Sequence, residues 1–437
     1  MHDAGPPPLV RLADGTVKQV SPLTGTVVWT VPGRAHRLVG APPAQRHPID
    51  HAHDGAHCAF CPARYRETPP EKSRVVRTPD GGWQVLTGVP ESGLDATVAE
   101  FRRIPNLFEI LSVDYWRENH GVRPSDDARA RAAAYVAEPG GRAQVLALLR
   151  RRMASQGVTD EQWAARADEE WLERAVDLFA GTHDVVVARR HFTEGAVHDD
   201  ELAGSGILSP EEHRRYVGLT VATMADLYAA QPAARYVAAF QNWLRPAGAS
   251  FDHLHKQLVA IDEHGPRADR VLARVREHPG VFADVVAHAA ANGLVIARNE
   301  HAVAVAAVGH RYPSVEVYAM GEAHLPWEHD AAQVDAVADL LHALHAATGV
   351  TVPSNEEWHH RPPGARGPMP WHVVVKWRVS VLAGFEGSTK INVNTLDPAT
   401  VRDLVVTRLT DLRAAGAVAQ MCLGDECGRT VALRYAR

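Results

Sequence analysis

One order of elements occurs twice in this chain, and that recurrence limits its fold more than any other feature. His183 to Val187 is a β-branched run and reads as a strand. A helix start follows at Ser209, with Pro210 at the first helical position and Glu212 in the capping-box place. Val217, Val221, Met224 and Tyr228 lie on one face of that helix. A strand from Tyr236 to Asn242, a glycine-containing loop and a strand from His253 to Ile261 complete the unit. The order then returns: a strand at Val315 to Tyr318, a helix from Ala332 to His345 stopped by Gly349, a segment ending at Asn355, and a strand from His372 to Val379. Val315–Tyr318 ends near His324 much as Val185–Val187 ends near His191. This predicts a divergent tandem repeat of a strand–helix–strand–strand unit, hence an α+β fold. Two unrelated α+β halves are the alternative.

The remaining sequence is arranged around these units. A chain of 437 residues exceeds what a single core serves, so two modules are expected. We place them at 1–261 and 262–437. Residues 1–50 are rich in proline and glycine, with a short strand at Val27–Val31, and Trp83 to Leu86 reads as another strand. Residues 112–180, with alanine- and arginine-rich runs and apolar residues at helical spacing, read as a helical insertion. A last helix starts at Asp397-Pro398, with Asp397 as N-cap.

Composition excludes several classes. A net charge of −6 argues against a general nucleic-acid binder. No run of eighteen apolar residues offers a membrane span, and Met1 to Pro8 lacks the build of a signal peptide. Four cysteines in so long a chain are no disulfide framework, so a reducing cytoplasm is the expected home.

Two patterns carry chemistry. His253, His255 and Gln257 alternate along one strand and therefore share a face. Buried without partners they would cost several kcal/mol, roughly, so they must be engaged or open to a cleft. Upstream, the loop from Asn242 to Ser250 contains Pro246, Ala247 and Gly248, small residues that let backbone N–H groups approach a phosphate. By itself this pattern fits metal binding or a surface role as well as catalysis. Cys58-Ala59-Phe60-Cys61 has the spacing of half a tetrahedral zinc site. No second such pair exists, so histidines should complete the set, with His191 and His253 as candidates; a redox pair is the alternative. Cys422 and Cys427 read as isolated thiols, and Arg150-Arg151-Arg152 as a solvated helix face that could reach a phosphate.

Taken together these residues resemble the galactose-1-phosphate uridylyltransferase branch of the histidine-triad superfamily. Pro22-Leu23-Thr24-Gly25, Trp29, Pro32, Arg34, Ala35 and Arg37 are similar to its opening signature. Cys58 to Pro62 resembles its zinc loop, and Pro105 to Phe108 its nucleotide-contacting segment. Gly181 to Val185 through His191, and Asn242, Gly248, Ser250, His253, His255 and Gln257, fall in the family's spacing, as do Trp371-His372 and Gly384-Phe385-Glu386.

The resemblance implies a structural zinc on Cys58, Cys61, His191 and His253. It implies that His255 attacks the α-phosphorus of a nucleoside diphosphate compound, with Gln257 and Ser250 holding the phosphoryl group. Arg34, Arg37, Asn106, Asn242 and Gly248 would surround the nucleotide, and Glu386 and Asn392 the acceptor. It further implies a nucleotide donor, a phosphate-bearing acceptor such as a sugar phosphate, no nucleic-acid or membrane partner, and a homodimer. A phosphorylase of the same fold and an inactive zinc-stabilised binding protein are the alternatives. The chain departs from the pattern in places. Leu254 and Lys256 replace a proline and a small residue. In the second repeat Val374 and Lys376 take the places of His255 and Gln257, so no nucleophile is expected there. Ser380 replaces the lysine expected for a sugar phosphate, which argues against galactose 1-phosphate as acceptor.

Overall fold

The structure, a computed structural model, describes residues 7–33, 46–381 and 383–433. The first unit consists of β1 (His183–Ala188), α1 (Pro210–Ala230), β2 (Tyr236–Trp243) and β3 (His255–Ile261). Helix α1 begins where its end signals are strongest. Glu212 N–H donates to Ser209 Oγ at 3.2 Å, and Ser209 N–H donates to Glu212 Oε2 at 2.8 Å. A connecting helix, α2 (Pro266–Glu277), a second helix (Val281–Ala291) and two strands (Val295–Arg298 and Ala302–Ala306) lead to the second unit. This comprises β4 (Ser314–Ala319), α3 (Ala331–Thr348), β5 (Ser354–His359) and β6 (His372–Trp377). Asp330 caps α3, and Gly349, at φ 83°, ends it in a conformation that side-chain-bearing residues avoid. Helix α4 (Pro398–Ala414) starts on Asp397, whose carboxylate accepts from Thr400 N–H at 3.0 Å.

Both units contribute to one antiparallel sheet of twelve strands. Its centre runs β4, β6, β5, β2, β3, β1, so the units meet edge to edge at β5 and β2. There Asn355 lies opposite Asn242, and Glu356 opposite Gln241. Helices α1, α3 and α4 cover one face of the sheet. Lys256, Leu258 and Ala260 of β3 point to that face, while His255 and Gln257 point away from it, as the period of two requires.

The segment from Val113 to Ala180 forms six helices with a small core of their own around Tyr135, Val145, Leu148 and Leu149. A separate four-stranded sheet joins Leu9–Arg11, Val17–Val20 and Val27–Thr30 to Ile391–Asn394, which pairs in parallel with Val27–Thr30. Among the described residues no helix is long and apolar enough to cross a membrane.

Two expectations about strands need correction. The segment expected to end at Asn355 is instead a strand that begins at Ser354 and runs to His359. Its sequence, Ser-Asn-Glu-Glu-Trp-His, hides this, because Glu356 is buried and Glu357 half-buried, each against a lysine. The strand expected from His253 begins at His255. The His253 ring is drawn aside by its own partners: Nε2–H donates to Ala188 O at 2.6 Å, and Nδ1 faces two thiols.

Candidate active site and metal centre

Cys58 and Cys61 lie in a tight turn closed by Cys61 N–H donating to Cys58 O at 3.0 Å. His191 follows β1, and His253 precedes β3. The four meet. The sulfurs are 3.6 Å apart, and each lies 3.4–3.7 Å from the Nδ1 atoms of His191 and His253. A zinc ion with bonds of about 2.3 Å to sulfur and 2.0–2.1 Å to nitrogen has tetrahedral edges of about 3.4–3.8 Å. The donor set therefore has the chemistry and the spacing of a closed tetrahedral site. The Ala188 carbonyl fixes the His253 tautomer by accepting a hydrogen bond from Nε2–H, which leaves Nδ1 free for a metal. The neighbouring Cys58 thiol, hydrogen-bonded to Cys61, holds the Cys61 sulfur as a thiolate, well below its usual range.

Beside this centre is a cavity of about 330 Å³ lined by Phe60, Asn106, Arg151, Ser250, His255 and Gln257, among others. Phe60 sits between the two cysteines in sequence and forms a wall that both sites share. Its ring centroid is 4.5 Å from Phe251, 5.2 Å from His255 and 6.1 Å from His253. Val185 and Ile104 complete the apolar floor.

His255 is 4% exposed, and its Nδ1–H donates to the His253 carbonyl at 2.7 Å. Nε2 is then the nitrogen with a free lone pair. Burial pushes the imidazole pKa down to about 4, so the ring is neutral at ordinary pH. Gln257 is oriented by His183, one strand away. Ile110 N–H donates to His183 Nδ1 at 3.3 Å, and His183 Nε2 lies 3.1 Å from both Gln257 Oε1 and Asn106 Nδ2. The Oε1 contact turns the Gln257 amide N–H groups away from His183. This role of His183 was not among the expected ones. A histidine two residues before an apolar strand interior gives no signal of it.

The other expected residues divide. Asn106 and Ser250 line the cavity with His255 and Gln257. Asn106 Oδ1 accepts from Phe108 N–H at 2.9 Å, and this shapes the turn. Asn242 stands next to the Phe240–Gln257 pair on the same face, but Asn355 Nδ2 donates to its Oδ1 at 2.7 Å, and it does not line the cavity. Gly248, at φ 91°, ends a short turn, and its N–H donates to Arg245 O at 2.9 Å. The amides of Ser250 and Phe251 have no protein acceptor among the described residues. Leu244 holds a positive φ of 66° at the start of this loop, strain of the kind found at functional sites. Glu386 accepts from Ala383 N–H at 3.2 Å at the start of its own short helix, and Asn392 Nδ2 donates to Val27 O at 3.3 Å. Both belong to the region of the four-stranded sheet and do not line the cavity. Arg34 and Arg37 lie outside the described residues.

The arginine run is not one solvated face. Arg150 pairs with Asp160 at the surface, and Arg152 is buried against Glu109 at 2.9 Å. Arg151 between them lines the His255 cavity, so the helical insertion delivers a cation to it.

Residues 12–435 match the model of a family described as a domain of unknown function, DUF4921. The chain belongs to that family. No curated protein matches it. Among solved structures this DUF4921 member is similar to an ADP-glucose phosphorylase from Arabidopsis thaliana with bound ADP-glucose. The TM-score is 0.56 at 18% identity, over 90% of this chain and 98% of that one. It is also similar to a GalT-like protein from the same plant, with a TM-score of 0.55 at 18% identity over 89% and 98% of the two chains. The fold is shared with these two proteins, α+β around a large antiparallel sheet.

Proposed function

We propose that this chain is a nucleotidyltransferase that works through a covalent nucleotidyl adduct on His255. The observation that carries this reading is the state of the His255 ring. Its Nδ1 proton is tied to the His253 carbonyl, which leaves Nε2 with a free lone pair, and the ring borders a cavity that also holds Gln257, Ser250 and Arg151.

In the first half-reaction His255 Nε2 attacks the α-phosphorus of a nucleoside diphosphate sugar or similar donor. A P–N bond forms, the bond from phosphorus to the bridging oxygen breaks, and a sugar phosphate leaves with the electron pair. In the second, a phosphate oxygen of the acceptor attacks the same phosphorus, the P–N bond breaks, and His255 returns to its neutral form. One difficult displacement becomes two easier ones. Gln257 Nε2 and the amides of Ser250 and Phe251 are the donors for the phosphoryl oxygens, and Arg151 offsets their charge. Asn106 borders the nucleotide, and Arg34, Arg37, Asn242 and Gly248 act around it; Glu386 and Asn392 would act only toward a sugar-phosphate acceptor, away from the His255 cavity. Cys58, Cys61, His191 and His253 would hold zinc, which with four protein ligands stiffens the approach to His255 and offers no open position. We place the boundary between the two units after Ile261.

The acceptor distinguishes two forms of this chemistry. Ser380 in place of a lysine, and a cavity not lined by Glu386 or Asn392, favour inorganic phosphate and hence a phosphorylase over a sugar-phosphate acceptor. The test is to incubate the protein with ADP-glucose and UDP-glucose, among other donors, and read its intact mass. A nucleotidyl increment that His255→Ala abolishes is expected. An increment that persists in His255→Ala, or none with any donor, overturns the reading. Product analysis with and without phosphate then separates phosphorylase from transferase.

A further inference from the structure

The second unit repeats the geometry of the first without its nucleophile. Strand β6 carries His372, Val374 and Lys376 on the face that in β3 carries His255 and Gln257. The register shows this directly: Lys376 lies opposite Asn355, which lies opposite Asn242. Above Lys376 is a cavity of about 280 Å³ that shares no lining residue with the His255 cavity. Strands β5 and β2 separate β6 from β3, three inter-strand steps or about 14 Å.

The chemistry of this cavity is one-sided. Arg267 and Arg270 of α2, Arg311 of the turn before β4, and Lys376 bring four cations together, with His310, Thr24 and Thr26. No carboxylate lines it among the described residues. Lys376 Nζ is matched by Glu357 Oε2 at 2.5 Å, and His310 by Glu316 at 2.9 Å. The three guanidinium groups have no carboxylate partner among the described residues. Arg267 donates to His359 Nδ1 at 3.0 Å, Arg270 donates to Thr24 O at 3.0 Å, and Arg311 lies over the Tyr312 ring at 4.7 Å. Like charges drawn into one concavity repel unless an anion joins them. The cavity also reaches Pro266, the first residue of the twelve-residue α2, where unbonded N–H groups and the helix dipole favour negative charge. The same cations act on the imidazoles behind them. Burial first, and then Arg267, hold His359 well below its usual range.

We propose that Arg267, Arg270, Arg311 and Lys376 form a second ligand site, which binds a small phosphate-bearing anion. Planar guanidinium forks from three positions, with an ammonium, are suited to the several oxygens of a phosphoryl group. The described lining is cationic and hydroxylic, with no Phe, Tyr or Trp to stack a nucleotide base, which suits inorganic phosphate, pyrophosphate or a sugar phosphate. Where the first repeat keeps a nucleophile to cleave its phosphate ligand, the second has Val374 and retains binding alone.

The test is calorimetric titration of the full chain with inorganic phosphate, pyrophosphate and glucose 1-phosphate. It is run on the parent protein, on Arg270→Ser/Arg311→Ser, and on His255→Ala. Binding of at least one anion should weaken about tenfold or more in the arginine double variant. In His255→Ala the same binding event should stay within about twofold. If the double variant melts early, Arg311→Ser alone should weaken binding about threefold with an unchanged melting temperature. Tighter binding of glucose 1-phosphate than of phosphate assigns an organic phosphate, and equal binding assigns the free ion; each supports the site. Binding lost in His255→Ala but intact in the arginine variant, or no binding of any of the three, overturns it.

Discussion

Lys256, the residue after His255, turns to the opposite face of the sheet, where its Nζ donates to Glu356 Oε1 at 2.5 Å. Both groups are fully buried. Gln241 Oε1 accepts a second hydrogen bond from Lys256 at 3.1 Å, and His345 Nε2 donates to Glu356 Oε2 at 2.6 Å. Desolvation lowers the Lys256 pKa, and the Lys256 charge holds the Glu356 carboxylate well below its usual range against the same effect. The pair spans β3, β2 and β5 and so ties the strand carrying His255 to the second unit.

Removing one member strands the other. Lys256→Met or Glu356→Gln should cost about 3–5 kcal/mol of stability, read by urea denaturation. The double replacement Lys256→Met/Glu356→Leu should cost less than either single change, because no buried charge is left unmatched. A single variant as stable as the parent would show that the pair is not buried as described.

Metal analysis should give about one zinc per chain, since the four donors fill a closed tetrahedral set. Binding energy at such a site is folding energy, so a strong chelator should lower the melting temperature. Cys58→Ser should lose metal and stability together, whereas His255→Ala should change neither. A folded, active protein without metal would contradict this.

Arg151 is exposed at the mouth of the His255 cavity, so its contribution is screened by water. Arg151→Ala should weaken binding of a nucleoside diphosphate donor about three- to tenfold. Metal content and melting temperature should stay as they are. An effect on stability but none on donor binding would make Arg151 a structural residue instead.

Acid should destabilise the second unit through its buried imidazoles. Burial pushes His360 down to about 3, and burial followed by the charge of Arg267 pushes His372 down to about 4. Folded, both are neutral; unfolded, they take up protons near pH 6.5. The unfolded state therefore binds more protons below that pH. Stability is full above about pH 7 and falls as pH drops from about 6.5 toward 4, by about 1.4 kcal/mol per pH unit for each group. Melting temperatures across this range should flatten in His360→Gln, which keeps an acceptor for the Tyr228 hydroxyl. An unchanged slope would assign the acid loss to other groups.

The sequence by itself determined the elements whose signals are local. Ser209 with Pro210 and Glu212, and Asp397 with Pro398, start helices where they were expected, because a cap acts within one turn. The spacing of Cys58 and Cys61 announced half of a metal site for the same reason. Only the tertiary structure decided which distant groups meet. His191 and His253 reach the thiols, His183 orients Gln257, and Arg151 enters the cavity from the helical insertion, each across tens of residues or more. The polar strand Ser354–His359 was unreadable because its period-2 signal depends on hydrophobicity, while Glu356 is buried against Lys256 and Glu357 half-buried against Lys376. Pairing of buried charges is a long-range property: the desolvation that forbids a lone carboxylate is offset by a partner that folding supplies, and no local pattern announces which partner that is.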